Sequence, residues 1–179
     1  MLFVDIARAL LDILGSLLVG LLLLRAWAAA IGMPARNPLA HFARALTDWV
    51  VQPLARITPA RGRIEWAALL AAVLVCVLVV LAKLAMVGLP LAPDIILIEA
   101  VRQVLNWALT LIIWVTLIYV LISWVNPMAP VAPALSMLLQ PLLGPIRRIL
   151  PTIGGIDLSP MVLLIAVYIV QMVLGRIAL

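Results

Sequence analysis

Gln140-Pro141-Leu142-Leu143-Gly144-Pro145-Ile146-Arg147-Arg148-Ile149-Leu150-Pro151-Thr152-Ile153-Gly154-Gly155-Ile156-Asp157-Leu158-Ser159-Pro160 lies between two apolar runs, each long enough to cross a bilayer. A fainter copy stands about ninety residues earlier: Gln52-Pro53-Leu54-Ala55-Arg56-Ile57-Thr58-Pro59-Ala60-Arg61-Gly62-Arg63-Ile64-Glu65-Trp66. Self-similarity at a fixed spacing marks a duplicated structural unit. Each copy opens with Asn-Pro, at Asn37-Pro38 and Asn126-Pro127. Each reaches a Pro-x-x-Arg-Ile-x-Pro element, from Pro53 to Pro59 and from Pro145 to Pro151. Each then passes a glycine, an isoleucine and an acid (Gly62, Ile64 and Glu65; Gly154, Ile156 and Asp157) before a new apolar run.

The 179 residues are 68% hydrophobic and 11% charged, with a mean hydropathy of +1.33. Soluble domains are about 45–50% apolar and about 25% charged, so this is a membrane protein. A spanning helix needs about 20 mostly apolar residues. Four stretches qualify: roughly Ile6 to Ala30, Trp66 to Leu89, Val104 to Val125, and Pro160 to Ala178. The run from Phe3 to Leu24 carries Asp5 and Asp12 and lacks a small-residue cleavage site, so it reads as a retained first span. The expected fold is all-α, with four transmembrane helices from two tandem repeats. Each repeat is a helix, an amphipathic or re-entrant loop, and a second helix. The first repeat covers 1–90, with an interfacial helix over 38–57; the second covers 91–179, with a Pro-rich loop over 126–160. Two spans per unit give the repeats one orientation and a pseudo-two-fold axis normal to the membrane.

In the first long loop, Leu39, Phe42, Leu46, Trp49, Val50, Pro53, Leu54 and Ile57 recur at helical spacing. His41, Arg44, Asp48, Gln52 and Arg56 fall on the other face, which predicts an amphipathic helix in the interface plane. The corresponding stretch Leu135 to Leu143 is almost wholly apolar and is expected to sit deeper, partly buried or re-entrant. Gly88 to Gln103, with Pro90 and Pro93, reads as a short connection. Ser159 is placed to cap the fourth span with its hydroxyl, Pro160 fits the first turn, and Asp157 sits near the positive end of the dipole.

Net charge is +5, and eleven of the twelve basic residues are Arg. They flank the spans and form no nucleic-acid-binding motif, so nucleic acid is not an expected partner. The long loops hold Arg36, Arg44, Arg56, Arg61, Arg63, Arg147 and Arg148. The positive-inside rule places those loops in the cytoplasm and both termini outside, which in a Gram-negative cell with the chain in its inner membrane is the periplasm. The single cysteine, Cys76, cannot form an intramolecular disulfide. The one histidine, His41, cannot by itself hold a metal or haem, and no catalytic triad, phosphate loop or carboxylate pair can be assembled. No enzyme, cofactor or metal site is expected.

The stretch Pro141 to Met161 is similar to the hallmark of the YggT family of small integral membrane proteins, and Ser123-Trp124 ahead of it resembles the family's second unit. The first unit agrees more loosely, through Leu24-Arg25-Ala26-Trp27, Asn37-Pro38, Gln52-Pro53 and the Arg56/Pro59 element. It has Ala55-Arg56 for the arginine pair, Arg61-Gly62-Arg63 for Gly-Gly, and Glu65-Trp66-Ala67 for Asp-x-Ser. The resemblance covers essentially the whole chain in a two-repeat form. It implies links to osmotic and potassium homeostasis, to septum and division genes and, in plastid relatives, to maturation of a b-type cytochrome; no common activity follows from these.

The candidate site is the second loop: Arg147, Arg148, Asp157, Pro145, Pro151, Gly154, Gly155 and Ser159. Its first-repeat counterpart is Arg25, Pro53, Arg56, Pro59 and Glu65. Arg147 and Arg148 are expected to fold back onto Asp157 as a basic notch for anionic lipid headgroups or a partner's acidic segment. Arg25, a charge near a span end, is expected either to snorkel or to pair with Glu65 or Asp157. Lys83 is expected to snorkel, and Asp12 has no assigned partner. The functional expectation is a scaffold or assembly factor in the membrane. The alternative is a small channel or transporter subunit in potassium and osmotic homeostasis, built as a homo-oligomer. The expected partners are the bilayer and other membrane proteins. Polar groups within the spans are few: Asn106, Thr110, Thr116, Ser123 and Gln171.

Overall fold

A computed structural model describes residues 2–59, 62–88, 92–150 and 157–176. They form six helices: α1 (Leu2–Ala30), α2 (Pro38–Ala55), α3 (Trp66–Val87), α4 (Pro93–Val125), α5 (Ala132–Ile149) and α6 (Ser159–Arg176). Helices α1, α3, α4 and α6 are long and apolar enough to cross a membrane. Much of their apolar surface faces outward, as at Leu14, Leu17, Leu78, Leu121 and Tyr168. That exposure is costly in water and natural in lipid. The chain is thus a multi-pass membrane protein, and alternation of the spans puts α2 and α5 at the same end of the bundle.

Local chemistry sets the helix ends. Asn37 is extended and its side chain accepts from the Leu39 N–H at 3.0 Å, with Pro38 opening α2. At the end of α3, Gly88 takes φ +70°, a left-handed turn that favours glycine. Asn126 closes α4 instead of opening α5, so the two Asn-Pro pairs have different jobs. Helix α4 begins at Pro93, so the segment 93–103, expected as a connection, is helical. Pro93 is preorganised for a first turn, Asp94 complements the dipole there, and Arg102 pairs with Glu99 one turn back.

Helix α2 has three faces. Ala40, Ala43, Thr47 and Val51 are buried against the bundle, a small-residue stripe that lets backbones approach closely. The polar face carries His41, Arg44, Asp48 and Gln52. Phe42, Leu46 and Trp49 point outward and are exposed, as is Ile57 just beyond the helix. The apolar stripe read from the sequence thus divides: Phe42, Leu46 and Trp49 form the outer face, Leu39, Val50 and Leu54 pack against the core, and the inner face is made of two alanines, a threonine and a valine. Helix α5 buries larger residues, Leu135, Leu138, Leu139 and Leu143, between α4 and α6.

The two units share their core. Val19, Leu22 and Leu23 of α1, Ala68, Ala71, Ala72 and Cys76 of α3, and Trp107 of α4 belong to one cluster. Gly15 is the tightest point of that seam: a Cβ there would lie 2.9 Å from the Trp107 ring and 3.0 Å from Val79.

Two polar levels bracket the apolar length. One holds Arg25, Glu65, Tyr119, Arg147 and Asp157; the other holds Asp12, Lys83, Glu99 and Arg102. Along α3, the path from Glu65 to Lys83 rises about 27 Å at ~1.5 Å per residue, close to a ~30 Å hydrocarbon core.

Candidate functional site

Arg25 sits on α1, and its side chain is only 8% exposed. A charge so buried in a span must be fully engaged. It donates from Nε and Nη2 to Glu65 Oε1 at 2.9 and 2.7 Å, and from Nη1 to Thr47 Oγ1 at 3.0 Å and Asp48 Oδ1 at 2.6 Å. The Thr47 hydroxyl in turn donates a hydrogen bond to the Ala43 carbonyl at 2.6 Å. One guanidinium therefore ties α1 to α2 and to the entry of α3. Pairing with Glu65 agrees with one of the two partners read from the sequence; Asp157 is not a partner. Asp48 and Thr47 were not anticipated, because they lie on α2 at angles that only its docking reveals. Glu65 Oε2 is buried and finds no hydrogen-bond partner among the described residues.

The second unit builds the same three-helix junction with the cation on a different helix. Arg147, in the last turn of α5, donates from Nε to Asp157 Oδ2 at 2.9 Å and from Nη2 to the Tyr119 hydroxyl of α4 at 3.2 Å. Its Nη2 also lies 2.8 Å from Asp157 Oδ2. Asp157 occupies the place of Glu65, at the entry to the second span of its unit. The acid keeps its position between units while the arginine moves from the first helix of the unit to the second, α5. Helix dipoles favour this arrangement: a cation ends α5 and an anion begins α6.

Asp157 Oδ1 also accepts from the Ser159 backbone N–H at 2.9 Å. The cap of α6 is therefore the Asp157 carboxylate, not the Ser159 hydroxyl anticipated from the sequence. Ser159 is itself the first helical residue, and its Oγ is buried without a partner among the described residues. Burial alone would raise the Asp157 carboxyl, but the Ser159 N–H and the Arg147 guanidinium outweigh it and hold it below the ordinary carboxylate range. Such a group stabilises the fold above its unfolded pKa, and that contribution is lost as pH falls through the folded value.

Arg148 is exposed, so the arginine pair divides into one inward and one outward side chain. Pro53 and Pro145 occupy matching places near the ends of α2 and α5, and both are exposed. Each removes a helical N–H and marks where the helix runs out. Arg56 and Pro59 are exposed beyond α2. Pro151, Gly154 and Gly155 lie outside the described residues. The split predicts that Arg147→Ala lowers the melting temperature near neutral pH and that its deficit against the parent shrinks as pH falls below about 4, where the parent loses the same ion pair, while Arg148→Ala leaves the melt unchanged. A thermal melt of both variants and the parent from about pH 2 to about pH 7 checks it; equal effects of the two substitutions would contradict the geometry.

Three further polar groupings were invisible in sequence. Lys83 donates to both carboxylate oxygens of Asp12, at 2.8 and 3.1 Å, across 71 residues of sequence. Gln171 of α6 donates to Thr110 Oγ1 at 3.0 Å and to the Asn106 carbonyl at 3.4 Å on α4. Thr116 is buried and its hydroxyl donates a hydrogen bond to the Ile112 carbonyl at 2.7 Å. Among the described residues, no group of three or more His, Cys, Asp or Glu side chains could hold a metal ion.

The sequence profile of the CCB3/YggT family matches residues 4–86 and 98–178, one match over each helix–helix–helix unit. The chain belongs to the CCB3/YggT family. A YggT-family relative, the protein named YggT of Escherichia coli K12, is 38% identical over 154 residues, covering 84% of this chain and 79% of the relative. A relative from Vibrio alginolyticus is 35% identical over 171 residues, covering 94% and 92%. One from Haemophilus influenzae is 37% identical over 144 residues, covering 80% and 77%. No solved structure matches the chain.

Proposed function

We propose that this YggT-family chain is a non-enzymatic scaffold of the bacterial inner membrane, whose α2 and α5 form a platform for other membrane proteins. The observation that carries this reading is the outward face of α2. Phe42, Leu46 and Trp49 are 54%, 44% and 69% exposed on a helix pinned from behind by Arg25. An aromatic-rich face held rigidly at a membrane interface suits docking, because its ordering cost is already met. The basic count supports α2 and α5 on the cytoplasmic side and both termini outside. Exposed Arg36, Arg56 and Arg148 there would suit anionic headgroups. Residues 1–90 and 91–179 serve as the two units.

The rival is a channel or transporter subunit in potassium and osmotic homeostasis. Conduction needs a polar or carbonyl-lined path. Asn106, Thr110 and Gln171 instead bond to one another between α4 and α6. As a helix clasp, Gln171 is worth about 0.6 kcal/mol, and Gln171→Leu should leave the fold intact. The test is ion flux in liposomes under an imposed potassium gradient. The scaffold reading predicts no protein-dependent flux of potassium, sodium or protons. Flux that requires the protein and is abolished by Gln171→Leu would replace it with the channel reading.

A further inference from the structure

At the end of the bundle opposite α2 and α5, a groove of about 470 Å³ opens between α3 and α4. Its walls are apolar, from Val80, Leu84, Ile95 and Ile98, and its polar lining is Lys83, Glu99 and Arg102. The volume lies within the range of sites for small ligands. Lys83 is 30% exposed and Arg102 26%, so both reach the groove while holding their own acids.

The donors and acceptors are not exhausted. Among the described residues, Lys83 uses its ammonium on Asp12 alone, and Arg102 uses Nε and Nη2 on Glu99, leaving Nη1 without a bond. Each Glu99 oxygen accepts one bond and has room for another. Asp12, Lys83, Glu99 and Arg102 together carry no net charge. A purely anionic ligand would meet Lys83 and Arg102 but also the Glu99 carboxylate in the lining, with Asp12 held behind Lys83. A ligand with a phosphate and an ammonium a few bonds apart complements both signs at once. The apolar walls ask for hydrocarbon below that head.

We propose that this groove holds one phospholipid with a primary-amine headgroup. Its phosphodiester takes Lys83 Nζ and Arg102 Nη1, its ammonium donates to Glu99, and its first acyl methylenes lie along Val80, Leu84, Ile95 and Ile98. A quaternary headgroup has no N–H for Glu99, and a glycerol headgroup has no cation for it. The site is independent of the scaffold reading.

The test is native mass spectrometry of the full chain in detergent, offered equal amounts of phosphatidylethanolamine, phosphatidylcholine and phosphatidylglycerol with the same acyl chains. Phosphatidylethanolamine should be retained about tenfold over each of the others, the worth of one charge-assisted contact. Arg102→Gln should lower that retention about tenfold. Ile98→Trp, which fills the groove and leaves every charge in place, should lower it as well, with a melt to show that each variant is folded. Equal retention of the three lipids, a preference for phosphatidylglycerol, or full retention in both variants would overturn the proposal. So would displacement of the lipid by millimolar inorganic phosphate, which would mark a site for a free anion.

Discussion

Replacing Arg25 with Ala will destabilise the protein more than any other single change at the polar levels. Arg25 makes four hydrogen bonds to three side chains on two other elements. Its removal leaves Glu65 and Asp48 facing an apolar seam without a cation. Breaking a buried pair costs about 3–5 kcal/mol, because the partner charge is stranded. Asp48 is 42% exposed and recovers much of its solvation, so its share is small; Glu65, at 23%, recovers less. A loss of about 3 kcal/mol is therefore expected. The companion variant Arg25→Leu/Glu65→Gln removes both charges and should recover part of the loss. Thermal melting of the single and double variants in one detergent checks both statements. A double variant no more stable than Arg25→Leu alone would mean that the charge pairing is not the source of the effect.

The second large effect is steric. Gly15 gives α1 a flat surface against the Trp107 ring and Val79, and even a methyl group would sit 2.9 Å from that ring. Trp107 is buried, so its ring cannot swing aside without disturbing the core. Overpacking of this kind costs about 1–3 kcal/mol. Gly15→Ala should fall near the low end, and Gly15→Leu at or beyond the high end. The seam joins the two units, so the damage should appear as loss of a single cooperative melt. Adding Trp107→Phe to Gly15→Ala removes the clashing ring edge and should restore most of the stability. A Gly15→Leu protein that melts like the parent would show that α1 and α4 do not meet as described.

The sequence made the spans legible because bilayer thickness demands about 20 apolar residues, and Asn37-Pro38 marked the start of α2 because capping is local. Pairing was less legible. Arg25 with Glu65 could be anticipated from a buried charge seeking an acid near the same interface. Asp48 and Thr47 could not, since their contact depends on which side of α2 docks. The bulkiest part of the apolar stripe, Phe42, Leu46 and Trp49, turned outward, because in lipid the small residues Ala40, Ala43 and Thr47 pack best against the bundle. Asp12 with Lys83, and Gln171 with Thr110, join distant stretches through helix register that no local pattern encodes. Tyr119 had no signal beyond being one of two tyrosines in the chain. The Pro93–Gln103 turns were misread because prolines and charges suggest a loop, although proline at a first turn starts a helix.

The most direct test of the account is the labelling of α2 in membranes, on a background carrying Cys76→Ala. Ala43 is fully buried and Leu46, one turn away, is 44% exposed. With Arg25 present, Leu46→Cys should react readily with a lipid-soluble maleimide, and Ala43→Cys should be protected. Adding Arg25→Leu should release α2 and bring the Ala43→Cys rate up toward that of Leu46→Cys. Equal rates at the two positions while Arg25 is in place would contradict the docking of α2 on which the whole account rests.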